Sequence, residues 1–213
     1  PPHAPWMVMV GASMLWVGWF GFNAGSALSA GADAGMAMLV THVSAATATL
    51  VWVGIEWVRF GKPSLVGAVT GTIAGLATIT PASGFVGPIG GLTCGLAGGL
   101  ICYLAVDLIR NRMRIDDSLD VMAVHGVGGA TGTLLTAVLI GAGLGGVGFD
   151  EGTSAGSQFV VQLTGVAATA VYCAIVSIVI VMIVKATTGL RVSADEEREG
   201  LDLASHGETG YNS

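Results

Sequence analysis

The chain has 213 residues, of which 53% are hydrophobic and only 10% are charged, and it contains 34 glycines. This composition excludes an ordinary soluble domain and is typical of a polytopic membrane protein. The formal net charge of −6 does not point to nucleic acid, and we expect no such partner. Cys94, Cys102 and Cys173 are odd in number and form no CxxC or Cys/His pattern, so we expect reduced thiols, no metal site and no cofactor.

Apolar segments of about 20 residues are long enough to cross the hydrocarbon core of a bilayer. Six are predicted, which makes the chain an all-α membrane protein: residues 7–28, 35–58, 65–80, 87–109, 119–142 and 158–186. The third is short and is followed by residues 80–84 (Thr-Pro-Ala-Ser-Gly), so we expect a bent or re-entrant turn there. The sixth would be about 44 Å long as a helix and should tilt or protrude. Residues 1–190 form the predicted transmembrane domain, and residues 191–213 a charged, partly ordered tail.

The basic residues predict the orientation of these segments. All eight lysines and arginines lie at the end of the second, fourth or sixth segment or after it, and by the positive-inside rule those loops and the C-terminus are cytoplasmic. They are Arg59, Lys62, Arg110, Arg112, Arg114, Lys185, Arg191 and Arg198. Glu56 and Asp107 stand near Arg59 and Arg110, so an interfacial ion pair is expected at each.

The chain begins with proline and enters an apolar segment at once, so we expect it to be part of a longer protein.

Glycines recur at four-residue spacing within the apolar segments. Such small-xxx-small patterns let membrane helices approach closely. The pairs and triplets are Gly21/Gly25, Gly71/Gly75, Gly91/Gly95/Gly99 and Gly128/Gly132.

The first segment carries an aromatic cluster. Trp19, Phe22 and Ser26 are separated by three and four residues, which places them on one helical face near the non-cytoplasmic end. Aromatic faces attract cations, and a hydroxyl beside them can accept a hydrogen bond from an N–H group. The spacing alone equally favours ordinary aromatic residues of the membrane interface.

The fifth segment places an acid, Asp120, and an imidazole, His125, at the start of a glycine-rich span. Ionisable side chains inside a membrane are costly and mark candidate functional sites, although a neutral histidine packed between helices is the alternative. Val121 and Gly129 lie on the His125 face, so the predicted lining is apolar. Such a path favours a small neutral solute, with any proton handled separately by the histidine.

Motifs throughout nearly the whole chain are similar to those of one known family. They are residues 18–26 (Gly-Trp-Phe-Gly-Phe-Asn-Ala-Gly-Ser), 61–65 (Gly-Lys-Pro-Ser-Leu), 79–84 (Ile-Thr-Pro-Ala-Ser-Gly), 116–117 (Asp-Asp), Asp120 with 124–126 (Val-His-Gly), 197–202 (Glu-Arg-Glu-Gly-Leu-Asp) and 205–208 (Ser-His-Gly-Glu). Together they resemble the ammonium transporter (Amt/Mep/Rh) family, bacterial Amt branch.

The resemblance implies a fold of eleven transmembrane helices, of which the first ten form two inverted halves around a pore, and a homotrimer in the bacterial inner membrane. This chain resembles helices six to eleven plus the cytoplasmic tail, and a PII-type signalling protein is an implied partner of that tail. The implied roles are ammonium recruitment for Trp19 and Ser26, pore gate for Phe22, proton relay in a histidine pair for His125, pore lining for Val121, and a structural or vestibular role for Asp120 and Thr80.

The resemblance also implies what this chain lacks. The partner histidine, the second gate phenylalanine and the acid that supports ammonium binding belong to the first five helices, and half a pore cannot conduct by the family mechanism. The expected function is transport of ammonium or ammonia. An ammonium sensor acting through the tail and a non-conducting fragment are the alternatives. Without a GxSxG or HExxH motif, we expect no enzyme. His42 is expected to be an interhelical or trimer-contact histidine rather than a pore ligand.

Overall fold

The computed structural model describes residues 2–211, and within that range every regular element is helical. The long elements are α1 (Pro5–Gly25), α2 (Ala32–Phe60), α3 (Leu65–Ile79), α4 (Pro88–Val106), α5 (Val127–Leu139) and α6 (Ala155–Thr187). A π-helical turn (Asp107–Arg112) continues α4, and another (Met122–Gly126) leads into α5. The tail contains the short helix α7 (Ala194–Glu199) and a π-helical turn (Asp202–His206).

Five of these helical stretches are long and apolar enough to cross a membrane: Pro5–Gly25, Ala32–Phe60, Pro88–Arg112, Met122–Leu139 and Ala155–Thr187. The remaining apolar helix, α3, has 15 residues and spans about 22 Å, less than the hydrocarbon core. Hydrogen-bonded turns follow it at residues 80–85, as its sequence predicted. The predicted all-α, polytopic membrane fold is confirmed.

The fifth helix is shorter than the predicted segment 119–142. Helical structure begins after Asp120, whose φ of 56° lies in the left-handed region that interrupts a helix. Asp117 then accepts hydrogen bonds from the backbone N–H groups of Val121 (2.8 Å) and Ala123 (3.1 Å). These bonds satisfy amide groups that the first turn of a helix leaves unpaired, and so they set its start.

Close approach of helices α2, α3 and α4 builds the centre of the fold around Ser44. The Ser44 hydroxyl donates to the Gly75 carbonyl oxygen (2.8 Å). A Cβ atom on Gly75 or Gly95 would lie 2.5 or 2.6 Å from the Ser44 carbonyl oxygen, so only glycine fits. The predicted small-residue contacts are therefore present on α3 and α4. In contrast, Gly21 and Gly25 of α1 face open space within the described chain.

The described chain divides into two compact units, with the division falling at Val166 inside α6. The first unit holds α1 to α5, and the second holds the remainder of α6 and the tail. Large apolar side chains such as Met14 and Val17 are exposed along α1, as expected of a helix covered by lipid or by further protein. The predicted boundary between transmembrane domain and tail, at residue 190, stays a prediction.

Candidate functional site

A pocket of about 310 Å³ lies where α1, α3 and α5 converge within the first unit. Its lining is mostly small or apolar, with one indole and one imidazole. The lining residues are Trp19, Ala77, Thr80, Pro81, His125, Gly129 and Thr133. The pocket is of a size for a small solute.

The rings of Trp19 and His125 are stacked at this pocket. Their centroids are 6.3 Å apart and their planes differ by 16°, so the two rings are nearly parallel. The aromatic cluster of the first segment and the histidine of the fifth, which the sequence offered as two separate features, therefore meet at one place.

Hydrogen bonds fix the orientation of the Trp19 indole. Its Nε1 donates to Thr80 Oγ1 (2.7 Å), and the Thr80 hydroxyl in turn donates to the Leu76 carbonyl oxygen (2.7 Å). The Phe22 ring packs edge-on against the indole, with centroids 6.1 Å apart and an interplanar angle of 74°. Trp19 is thus held from two sides.

Phe22 and Ser26 extend this face of α1 away from the pocket. Phe22 is 62% exposed. The Ser26 hydroxyl lies one turn further, at the end of α1, and donates to the Phe22 carbonyl oxygen (2.6 Å). Its own oxygen still has lone pairs that can accept a hydrogen bond. Neither residue lines the pocket itself.

His125 lies in the π-helical turn Met122–Gly126. Single π-helical turns are rare and frequently occur at functional sites. The carboxylate of Asp117 anchors the start of this turn through the amides of Val121 and Ala123. Sequence reasoning included Asp117 only as part of a family motif and did not recognise it as a helix cap.

Asp120 and Val121 stand at the start of this helix, outside the lining residues. Asp120 pairs with Arg110 at 3.1 Å and is the more buried partner, with 14% of its side chain exposed against 44% for Arg110. Val121 is exposed. The pore-lining role of Val121 and the structural role of Asp120 stay predictions.

The acids near the predicted cytoplasmic ends differ from expectation in their partners. Asp107 contacts Arg112 (3.5 Å), whereas Arg110 pairs with Asp120 (3.1 Å). Glu56 accepts hydrogen bonds from the backbone N–H (2.6 Å) and the hydroxyl (3.2 Å) of Ser64, and so ties α2 to the start of α3. The Asp107–Arg112 contact follows from the π-helical turn that contains both residues, and the Glu56–Ser64 bonds follow from how α3 begins against α2; nearness to an arginine in the sequence shows neither.

His42 of α2 lies outside the pocket. Its ring contacts two aromatic rings of α1, Trp16 at 5.2 Å and Phe20 at 6.1 Å between centroids. It is therefore an interhelical residue of the first unit and provides a histidine outside the pocket lining for comparison with His125.

The lining residues Ala77, Pro81 and Thr133 were missed by sequence reasoning. Thr133 stands eight residues after His125 and one turn beyond Gly129, so helical spacing could have placed it on the same face. Pro81 was included only as part of a family motif and Ala77 carried no signal, since the position of both depends on how α3 packs. Among residues 2–211, no group of three or more metal-ligating side chains is assembled.

The apolar helices and the pocket between them define a polytopic membrane protein of α-helices with an aromatic and histidine site. The model of the Ammonium Transporter Family matches residues 1–211, and the chain belongs to that family. The chain is 46% identical over 213 residues to an "Ammonium transporter" of Aquifex aeolicus, covering 100% of this chain and 49% of the relative. It is 45% identical over 212 residues to "Ammonium transporter Amt1" of Archaeoglobus fulgidus, covering 99% and 53%.

A solved structure described as a "Sensor Amt Protein" superimposes with a TM-score of 0.88 at 30% identity, covering 96% of this chain and 50% of that chain. The chain therefore spans about half the length of the relatives it matches. The predicted family is confirmed.

Proposed function

We propose that this chain forms part of an ammonium transporter and that its pocket lies on the path of ammonium or ammonia. The observation that carries the proposal is the pair of nearly parallel rings, Trp19 and His125, inside a pocket lined otherwise by small or weakly polar side chains. An aromatic face attracts a cation, and an imidazole can exchange its proton. The names of the relatives agree with this substrate.

In this proposal Ser26 and Trp19 bind the cation in turn, with Ser26 on the far side of Phe22 and Trp19 at the pocket itself. The indole face offers a cation–π contact, and the Ser26 oxygen accepts a hydrogen bond from an ammonium N–H. Phe22 lies between them on α1, in edge contact with Trp19, and serves as the gate. Moving its exposed ring would change access to the pocket without disturbing the core.

Passage beyond Trp19 and past His125 favours neutral ammonia. A bare cation loses hydration in an apolar passage, and the residues beside His125 offer little to replace it. His125 accepts the proton with a free ring nitrogen, while ammonia continues past Ala77 and Gly129. Val121 would line the path further along the same helix.

The proposal extends to the whole protein. Residues 1–190 cross the bacterial inner membrane, and residues 191–213 form a tail in the cytoplasm, as the loop arginines and lysines favour. The exposed apolar side chains of α1 would meet lipid or a neighbouring subunit of a homotrimer. A PII-type signalling protein is the proposed partner of the charged tail. Such a chain is a transporter rather than an enzyme.

Uptake of ammonium and of methylammonium tests the function. The gene product that contains this chain is expressed at full length in cells without their own ammonium transporters. His125→Ala is expected to change the rate or the proton coupling of uptake, and His42→Ala, a membrane histidine outside the pocket, is expected to change neither. Equal behaviour of both variants, or no uptake by the unaltered protein, would contradict the proposal.

An ammonium sensor is the second candidate, because the solved structure of a "Sensor Amt Protein" shares this fold at 30% identity. In that case the same pocket would bind ammonium, and the tail would act on a partner. Binding of ammonium without uptake by the full-length protein would favour the sensor over the transporter.

A further inference from the structure

Thr80 occupies a junction between the pocket and the helix that supports it. It follows α3 directly, and its side chain is half-buried. An indole nitrogen can only donate, so the Thr80 oxygen must accept the bond from Trp19. The single hydroxyl proton is then free to go to the Leu76 carbonyl, where the 2.7 Å contact lies.

This chain of two bonds connects the Trp19 ring to the backbone of a packed helix. Leu76 is completely buried, so the carbonyl group that accepts the second of these two hydrogen bonds is fixed in place. The Phe22 ring contacts the indole edge-on from another side, so the hydrogen bonds are the fixed part of this support. With the indole plane held, the space left beside His125 has a defined width, and Ala77 and Gly129 add no bulk to it.

We propose that Thr80 is a positioning residue that sets the Trp19 plane and thereby the discrimination between ammonium and larger methylated ammonium ions. The inference rests on the proposed transport function. Thr80 acts through Trp19 and need not touch the solute. If the indole loses its acceptor, it turns to find another, and the passage beside His125 changes shape.

The hydrogen bond is tested first, in the full-length protein labelled with ¹⁵N at the indole nitrogens. Trp19→Phe assigns the Trp19 indole resonance by removing it. Thr80→Val, which keeps the side-chain shape and removes the acceptor, is expected to move that resonance upfield. Thr80→Ser keeps a hydroxyl and should leave it in place. Thr70→Val serves as the matched control, since the Thr70 hydroxyl only bonds back to Val66 within α3.

The ratio of methylammonium to ammonium uptake tests the positioning role. We expect Thr80→Val to change this ratio about fivefold, the factor that corresponds to one net hydrogen bond, while Thr80→Ser and Thr70→Val retain the original ratio. Trp19→Phe should change the ratio as well, and adding Thr80→Val to it should have no further effect, because the bond is already absent. This double substitution separates positioning from a general loss of folding.

The outcomes distinguish this inference from the transport proposal. If the indole resonance does not move in Thr80→Val, the hydrogen bond from Trp19 to Thr80 is refuted, and the inference with it. A moved resonance with an unchanged uptake ratio would overturn the discriminating role of Thr80. Absence of uptake by the unaltered protein would refute transport, and with it the selectivity, while the resonance would still report on the bond.

Discussion

The Asp117 cap at the start of the His125 helix gives a prediction of definite size. Asp117→Ala removes two carboxylate hydrogen bonds, to the amides of Val121 (2.8 Å) and Ala123 (3.1 Å). Bonds to charged acceptors contribute about 1.5–3 kcal/mol each when buried, but one of these is exposed and the other only partly buried, so we expect a loss of about 2 kcal/mol for the cap. The effect is local to the turn that holds His125.

Hydrogen–deuterium exchange measures this loss where it occurs. About 2 kcal/mol corresponds to roughly 30-fold faster exchange of the amides at residues 121–126, if they exchange by local opening. Asp117→Asn keeps a neutral acceptor, so its amides should exchange at a rate between those of the unaltered protein and Asp117→Ala. The neighbouring and exposed Asp116 provides the control, and Asp116→Ala should leave exchange unchanged. Unchanged exchange in Asp117→Ala would refute the assignment of this carboxylate as the cap.

Two further predictions concern packing and pH. Gly75→Ala places a Cβ 2.5 Å from the Ser44 carbonyl oxygen and should destabilise the full-length protein by roughly 1–3 kcal/mol, measured as its thermal unfolding in detergent. Gly54→Ala, at an open position of α2, should not destabilise it, and equal loss in both would contradict the packing. In the tail, bonds from the Ser193 hydroxyl and then its backbone N–H lower the pKa of Glu196. The stabilisation of the α7 start is therefore present above the usual glutamate pKa and is lost as the pH falls through the lowered value. A pH titration of the Ser193 amide resonance should show this step, and Glu196→Gln should abolish it; a step that persists would refute the cap.

Much of the fold follows from the sequence because the membrane imposes a length on apolar helices. All six predicted segments contain a helix, and the short third segment is followed by the expected turns. The start of the fifth helix could not be read from hydropathy. Leu119 is apolar like the residues of the helix that follows, so hydropathy places the start of the segment there. The left-handed backbone of Asp120 and the hydrogen bonds to Asp117 instead make the helix begin after Asp120.

The sequence allowed individual residues of the site to be predicted, but not which of them meet in one pocket. Helical spacing placed Trp19 beside Phe22, and the cost of an ionisable group in a membrane drew attention to His125. Their meeting depends on how α1, α3 and α5 pack, which no local pattern encodes. The partner of the indole, Thr80, was for the same reason expected only to be structural or vestibular.

Filling the pocket tests most directly whether ammonium passes through it. Gly129 lines the pocket, and a Cβ atom there would meet nothing within 4 Å, so the backbone accepts a side chain at this position and Gly129→Leu adds bulk at the pocket. Gly54→Leu adds the same side chain outside the pocket, at a position where a Cβ atom also meets nothing within 4 Å. In the full-length protein, we predict that Gly129→Leu abolishes ammonium uptake and that Gly54→Leu does not, at equal amounts of folded protein in the membrane. Normal uptake by the Gly129→Leu protein would contradict a path past Trp19 and His125.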